Sequence, residues 1–430
     1  MMNHSPLIIA GGGLVGLAAA IMLSDRFERI DIFEKREEPI FPPSMQARSL
    51  QLVISARGWR TLEAIGMAQD VLDHSLKLNG RMRHHADGAD IEPYSVHGHE
   101  INCISRNTLY QLLTQRAEAL PNVHIQYDSV VQDVFFEQKA IDVMHYGHKK
   151  YWKYDMLIGA DGVRSKVTHH LNRNGTLSHQ LERNNYREIR ITENLWERDK
   201  FHYWHSPKAM IGAFPVHEGG FSLFLVHQNE HMLELLVQKD DSTFEALFPG
   251  VKDAVPDIRE QLKHSKGGFL GSVNAQNWHH ADNVVIMGDA AHAMLPFMGQ
   301  GLNTGLEDLW SLNQIIDKEG KTNTDLIKKF TSTRQIQAGA IRRISENQFS
   351  YLTGKFTDRD YAIKHLADHH WVNHDLPTTY MGCAFSLDPF AEILEREEKL
   401  CASFTEQQIA EELVRMGKPV HDGLRIIDDK

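Results

Sequence analysis

Leu7-Ile8-Ile9-Ala10-Gly11-Gly12-Gly13-Leu14-Val15-Gly16 decides the fold of this 430-residue chain. Residues 7–10 are a short apolar run, the kind that forms a strand buried on both faces. Gly11, Gly13 and Gly16 follow in GxGxxG spacing, and Leu14 and Val15 open a helix expected over 14–26. The glycines allow a tight turn, let backbone approach a pyrophosphate, and let helix and strand pack closely. The helix N-terminus supplies N–H groups and the positive end of a dipole to phosphate. A second strand over 30–34 ends at Glu34, placed to bind ribose hydroxyls, with Lys35 and Arg36 beside it. The stretch predicts a βαβ opening and a dinucleotide site.

Around this unit the chain has an ordinary globular balance, with 42% apolar and 24% charged residues. Its net charge of -11 argues against nucleic acid, which needs clustered Lys and Arg to neutralise phosphates. Three cysteines, Cys103, Cys383 and Cys401, form no CxxC pair and fit a reducing, cytoplasmic setting. The 26 histidines include adjacent pairs but no HExxH spacing, and neighbours in a helix or strand point apart, so no metal site is expected. No basic leader and no run of about 18 apolar residues stands in the sequence, so no membrane association is expected.

Helices are expected over 58–74, 106–120 and 301–318, and buried strands over 155–160 and 283–287. Between 177 and 270 the pattern changes to alternating, aromatic-rich pieces at 186–191, 201–204, 210–214 and 221–226, read as an antiparallel sheet. Beyond 325 the chain reads as mostly helical. The expected fold class is α/β: a Rossmann-type FAD-binding domain with an inserted antiparallel β-sheet substrate domain and a mostly helical C-terminal region. The FAD-binding domain is expected to be discontinuous, over 1–75, 100–176 and 271–325. The substrate domain takes 76–99 and 177–270, and the helical region, 326–430, covers the substrate pocket.

GxGxxG alone does not choose between dinucleotides. Two further segments do: Asp155 to Ser165, which contains Asp161-Gly162, and Asn283 to Ala293, which contains Gly288-Asp289 and continues through Pro296-Phe297-Met298-Gly299-Gln300-Gly301-Leu302-Asn303. In this order they resemble the flavoprotein aromatic hydroxylases, the family of para-hydroxybenzoate hydroxylase. The resemblance implies FAD as cofactor and NADPH as a transient co-substrate. It puts Asp161 near both and Asp289 on the ribityl chain. Pro296, Gly299, Gly301, Leu302 and Asn303 then border the flavin, and Arg106 and Arg48, the latter beside Ala47, contact FAD. His292 belongs to the motif, and no proton-transfer role follows for it.

Within that family, Ala47 to Gly58, Gly80-Arg81-Met82, Glu92-Pro93-Tyr94, Tyr186-Arg187-Glu188 and Phe385-Ser386 resemble the kynurenine 3-monooxygenases. The resemblance implies a small-molecule substrate, L-kynurenine, hydroxylated at ring carbon 3 with NADPH and O2 in tryptophan degradation, through a flavin C4a-hydroperoxide. The amino-acid end of the substrate then falls to Arg81, Tyr94, Asn347 and Tyr380, and Phe224, Phe297 and Met298 wall the ring. A guanidinium holding a carboxylate, with phenolic donors beside it, is sound chemistry. No protein acid or base is assigned. Ser350, Tyr351 and Met298 depart from the pattern of that group, and a flavin hydroxylase acting on another aromatic acid is the alternative. A monomer or homodimer is expected.

Overall fold

Leu7–Ala10 forms the centre of a six-stranded sheet. The computed structural model describes residues 6–41, 50–95, 97–173, 178–206, 209–227, 236–238, 241–265, 267–319, 325–352 and 356–418. The central strand pairs in parallel with Ile30–Phe33 on one side and Met156–Gly159 on the other. Val123–Gln126 and Val284–Ile286 extend the sheet in parallel, and His279–His280 closes one edge antiparallel. Successive side chains of a strand point to opposite faces. Leu7 and Ile9 therefore pack with the helices Leu14–Leu23, Arg106–Glu118 and Gly301–Glu319. Ile8 and Ala10 face Val131, Ile141 and Val143 of a three-stranded antiparallel sheet formed by Ser129–Phe135, Ala140–His145 and His148–Lys153. All four residues are fully buried, each Leu or Ile contributing about 1.5–3 kcal/mol by leaving water.

A seven-stranded sheet holds Gly267–Asn274, Ser178–Ile191, Phe221–His227, Ala209–Pro215, Lys200–Ser206, Gly80–His85 and Gly88–Pro93 in that order. It departs from the expected antiparallel pattern at one place: Lys200–Ser206 pairs in parallel with Gly80–His85. The latter strand arrives from a hairpin far upstream, so no direct turn joins the two, and only a distant crossover makes a parallel pair. Helices Asp241–Leu247 and Ile258–His264 cover one face through Phe244, Phe248, Ile258 and Leu262. A second three-stranded sheet holds Gln51–Ile54, Ile101–Ser105 and Leu76–Leu78 with Ile101–Ser105 in the middle.

Two expected helices differ at their ends. The first is α-helical only over Leu14–Leu23 and tightens into a 3-10 turn at Ser24–Arg26. The 58–74 segment is two helices, Ala56–Ala64 and Ala68–Asp73, interrupted at Gly66, whose φ of 71° no continuing helix adopts. The C-terminal part is helical as expected: Leu326–Leu352, Asp358–Asn373, Thr379–Phe385, Phe390–Ser403 and Glu406–Arg415. Thr357 and Thr405 begin two of these with capping boxes. Among the described residues no helix is long and apolar enough to cross a membrane.

Candidate active site

The glycine turn shows why each glycine stands where it does. A Cβ on Gly16 would lie 2.0 Å from the Gly11 carbonyl oxygen, and one on Gly11 would lie 2.4 Å from that of Ala160. A Cβ on Gly13 would meet nothing within 4 Å, because that residue faces a cavity. Glu34 sits at the end of the second strand, where its carboxylate accepts the Gly12 N–H at 2.9 Å and the Arg36 N–H and Nε at 2.8 Å each. Burial opposes ionisation of Glu34, but the Arg36 hydrogen bond and charge outweigh it and hold the carboxyl below its usual range. Lys35 is exposed, and the Arg36 guanidinium lies over the Tyr110 ring. Gly11, Gly16, Glu34, Lys35 and Arg36 stand outside the cavity wall, at its glycine-turn end.

The cavity measures about 1120 Å³. Gly13, Leu14, Val15, Arg106, Asp289, Pro296, Gly299, Gly301 and Leu302 are among its lining residues. The N-termini of two helices, Leu14–Leu23 and Gly301–Glu319, open there. Arg106 begins a third helix. A cation at a helix N-terminus is disfavoured by about 0.3–1 kcal/mol, an effect that solvent screens at exposed Arg106. Asp289 follows the strand Val284–Ile286 and opens into the cavity. Gly288, with φ of 56°, turns the chain against Val15. Asp161 accepts the Lys166 N–H at 2.7 Å. Burial pushes its carboxyl up, and its neighbours Ala160 and Gly162 line the cavity. The helix N-termini and the open face of Gly13 fit FAD.

Asn303 does not reach the cavity. It is fully buried, its Oδ1 accepting the Ser55 N–H and its Nδ2 donating to the Val53 and Gly299 carbonyls, so it fixes the backbone on which Gly299 and Gly301 stand. Ala47 and Arg48 lie outside the described residues. His292 is also structural. Its Nε2 lies 2.6 Å from Asp308, which accepts the Gly288 N–H and Arg334 Nε as well.

Arg81, Tyr94, Asn347, Tyr380, Phe224, Phe297 and Met298 line the same cavity. Tyr94 and Tyr380 stack with ring centroids 5.7 Å apart, and the Arg81 guanidinium lies 5.9 and 5.3 Å from the two centroids. Burial lowers the proton affinity of Arg81, but Glu92 at 3.6 Å more than offsets this and keeps it charged. Its Nε has no partner. Asn347 projects from the long helix Leu326–Leu352. Phe297 stacks on Phe349, and Met298 packs on Ile341, Ile344 and Phe390.

Several wall residues escaped the sequence reading. Phe201, Tyr203 and His205 alternate along Lys200–Ser206 and all face the cavity; the period of two was their signal. Phe214 stacks on Phe201 with centroids 4.2 Å apart, both rings lie 6.3 Å from Phe224, and the Tyr203 hydroxyl donates to Glu92 at 2.9 Å. Tyr351 stacks parallel to His205.

Several curated relatives bear the name kynurenine 3-monooxygenase. Kynurenine 3-monooxygenase of Flavobacterium johnsoniae is 28% identical over 424 residues, covering 92% of each chain. That of Aspergillus oryzae is 30% identical over 382 residues, covering 80% of this chain and 74% of its own. Among solved structures, the tetrameric form of 2-methyl-3-hydroxypyridine-5-carboxylic acid oxygenase superposes with a TM-score of 0.67 at 22% identity, covering 82% of this chain and 93% of its own. Residues 4–344 match the family described as FAD binding domain. With the glycine turn, Glu34 and Asp289 arranged around one cavity, the chain belongs to that FAD binding domain family.

Proposed function

We propose that the protein is an FAD-dependent aromatic monooxygenase that hydroxylates L-kynurenine at ring carbon 3, consuming NADPH and O2 and giving 3-hydroxykynurenine, NADP+ and water. The observation that carries this reading is the Arg81 guanidinium set beside the Tyr94–Tyr380 stack in the same cavity that Gly13, Arg106 and Asp289 line. The name shared by the curated relatives supports it.

Bound FAD would supply the redox chemistry, taking electrons from NADPH and passing one oxygen atom of O2 to the ring. The chain's own part is binding, orientation and exclusion of water. Arg81 takes the substrate carboxylate, and the phenols of Tyr94 and Tyr380 and the amide of Asn347 complete the polar end. Phe224, with Phe201 and Phe214 behind it, and Phe297 hold the aromatic ring toward the flavin end. The glycine turn, Glu34 with Lys35 and Arg36, Arg106, Asp161, Asp289 and the 296–302 segment hold the cofactor. We assign the glycine turn and six-stranded sheet to a discontinuous cofactor domain, the seven-stranded sheet to a substrate domain, and the C-terminal helices to its cover. The three free thiols suit the cytoplasm.

Incubation of the FAD-loaded protein with L-kynurenine and NADPH, followed by mass spectrometry, tests the reading. A product heavier by one oxygen atom, hydroxylated at carbon 3, is expected. Tyr351, stacked on His205 inside the pocket, favours a second reading, a hydroxylase for another aromatic acid. NADPH oxidation with a benzoate or quinoline carboxylate but not with kynurenine would select it.

A further inference from the structure

Arg81 and Glu92 face each other across a hairpin. Gly80–His85 pairs antiparallel with Gly88–Pro93, and the register sets Arg81 opposite Glu92 and Arg83 opposite Asp90. On its other side Lys200–Ser206 sets Phe201 beside Arg81 and Tyr203 beside Arg83. Residues paired across neighbouring strands share a face of the sheet, and Arg81, Arg83, Glu92, Phe201 and Tyr203 all line the cavity. The fold thus builds a carboxylate into the wall next to the guanidinium.

This pair is not closed on itself. Arg81 Nη2 lies 3.6 Å from Glu92 Oε2 and Arg83 Nε lies 3.6 Å from Glu92 Oε1, both beyond hydrogen-bond length. Arg83 instead donates to Asp90 at 2.7 Å. Arg81 Nε is buried without a hydrogen-bond partner. Among the described residues the Glu92 carboxylate accepts one hydrogen bond, from the Tyr203 hydroxyl at 2.9 Å. Burial, and after it the Glu92 charge, push the Tyr203 phenol up, so it stays protonated and keeps donating. An ionised carboxylate has about four lone-pair sites, so Glu92 can accept more.

Charge then decides which ligand fits. Arg81 and Arg83 offset Glu92 and Asp90 in formal charge. A plain carboxylate docked on Arg81 leaves this group net negative and lies beside Glu92, where like charges repel. An α-amino acid carries an ammonium on the carbon next to its carboxylate. It leaves the group neutral and offers N–H donors to Glu92. The helical wall of the cavity supplies no spare cation for a second docking mode, because Lys364 is bridged to Asp368 and Arg343 to Glu398.

We propose that Glu92 determines the specificity of this cavity: it takes the α-ammonium of the ligand whose carboxylate Arg81 holds, and so selects aromatic amino acids over aromatic acids that lack the amine. The proposal rests on the role given to Arg81 above and deepens it. Glu92 touches only the amino-acid end of the ligand and takes no part in oxygen transfer.

Equilibrium dialysis of the FAD-loaded protein tests this by binding rather than turnover. The two probes are L-kynurenine and desaminokynurenine, the same aminophenyl keto acid without the α-amine. The unaltered protein is expected to bind L-kynurenine about tenfold or more tightly than the amine-free acid, the worth of a charge-assisted contact. Glu92→Gln keeps an oxygen for the Tyr203 hydroxyl, and the flavin spectrum checks its folding. In that variant the preference is expected to vanish through weaker binding of L-kynurenine alone. Equal binding of the two probes by the unaltered protein overturns the proposal, and so does binding of neither. Equal loss of affinity for both probes in Glu92→Gln also overturns it, since a residue that only orients Arg81 would act in that way. Product analysis of the unaltered protein is read separately. A preference for the amine-bearing probe without hydroxylation keeps the role of Glu92 and removes the monooxygenase reading. Hydroxylation of L-kynurenine by a protein that binds both probes alike keeps that reading and removes the role of Glu92.

Discussion

His292 Nε2 lies 2.6 Å from Asp308 Oδ2, and the same carboxylate oxygen accepts the Gly288 N–H at 3.0 Å. The other oxygen accepts Arg334 Nε at 2.9 Å, and Arg334 also donates to Glu307. Burial opposes ionisation of Asp308, but the charges of His292 and Arg334 outweigh it and hold its carboxyl below the usual range. This buried cluster pins the turn that presents Asp289 to the cavity. Asp308→Ala is expected to cost about 3–5 kcal/mol, because it removes one of the two carboxylates that pair the buried Arg334 and leaves His292 and the Gly288 N–H without their acceptor, and urea unfolding measures that. The gentler His292→Asn is expected to weaken FAD retention, read by flavin fluorescence on dilution.

Arg81→Ala is expected to raise the KM for the aromatic amino acid by about tenfold to a hundredfold, the worth of a lost charged hydrogen bond. FAD is expected to stay bound, because the neighbours of Arg81 are Glu92, Tyr94 and Tyr380 rather than the glycine turn. Steady-state kinetics with the flavin content measured on the same sample decides it. An unchanged KM removes Arg81 from the substrate site.

What the sequence made legible follows from backbone necessity. Gly11, Gly16 and Gly288 stand where a side chain meets another part of the chain, so their spacing carries the cofactor end almost by itself. The substrate end was harder. Phe201, Tyr203 and His205 alternate, but alternation does not say which face of a strand meets a cavity. Their face was settled by the parallel pairing of Lys200–Ser206 with Gly80–His85, a long-range contact that no local pattern announces. Asn303 was placed with the cofactor because of its neighbours in sequence, whereas tertiary hydrogen bonds to Val53 and Ser55 turn it into the protein.

Stability is expected to fall on acidification between about pH 6.5 and about 4. Burial, aided by the neighbouring His202, pushes His84 down to about 4. In the unfolded chain it titrates near its ordinary value of about 6.5. Between the two values the unfolded chain binds the extra proton and the folded one does not, so stability rises with pH across that window and is complete above it. His84 stacks on Trp204 with centroids 4.1 Å apart, so His84→Phe keeps the ring contact. The urea midpoint of that variant should lose part of its pH dependence between 4 and 6.5; an identical profile would show that His84 does not carry it.

Gly13→Ala and Gly16→Ala separate ligand binding from folding within one turn. The methyl group of Gly16→Ala would stand 2.0 Å from the Gly11 carbonyl oxygen, a backbone atom that cannot yield without moving the strand Leu7–Ala10. Helix and sheet must then part, and overpacking of this kind costs about 1–3 kcal/mol or more. The Gly16→Ala protein is expected to unfold at lower urea whether or not FAD is supplied. The methyl group of Gly13→Ala meets no protein atom within 4 Å and enters only the cavity. Its φ of -77° is open to alanine, so the flavin-free protein should keep its unfolding midpoint while FAD affinity drops. Titration of flavin-stripped protein with FAD, paired with urea unfolding without it, reads both quantities. Normal FAD affinity in Gly13→Ala would mean that the pyrophosphate does not approach this turn.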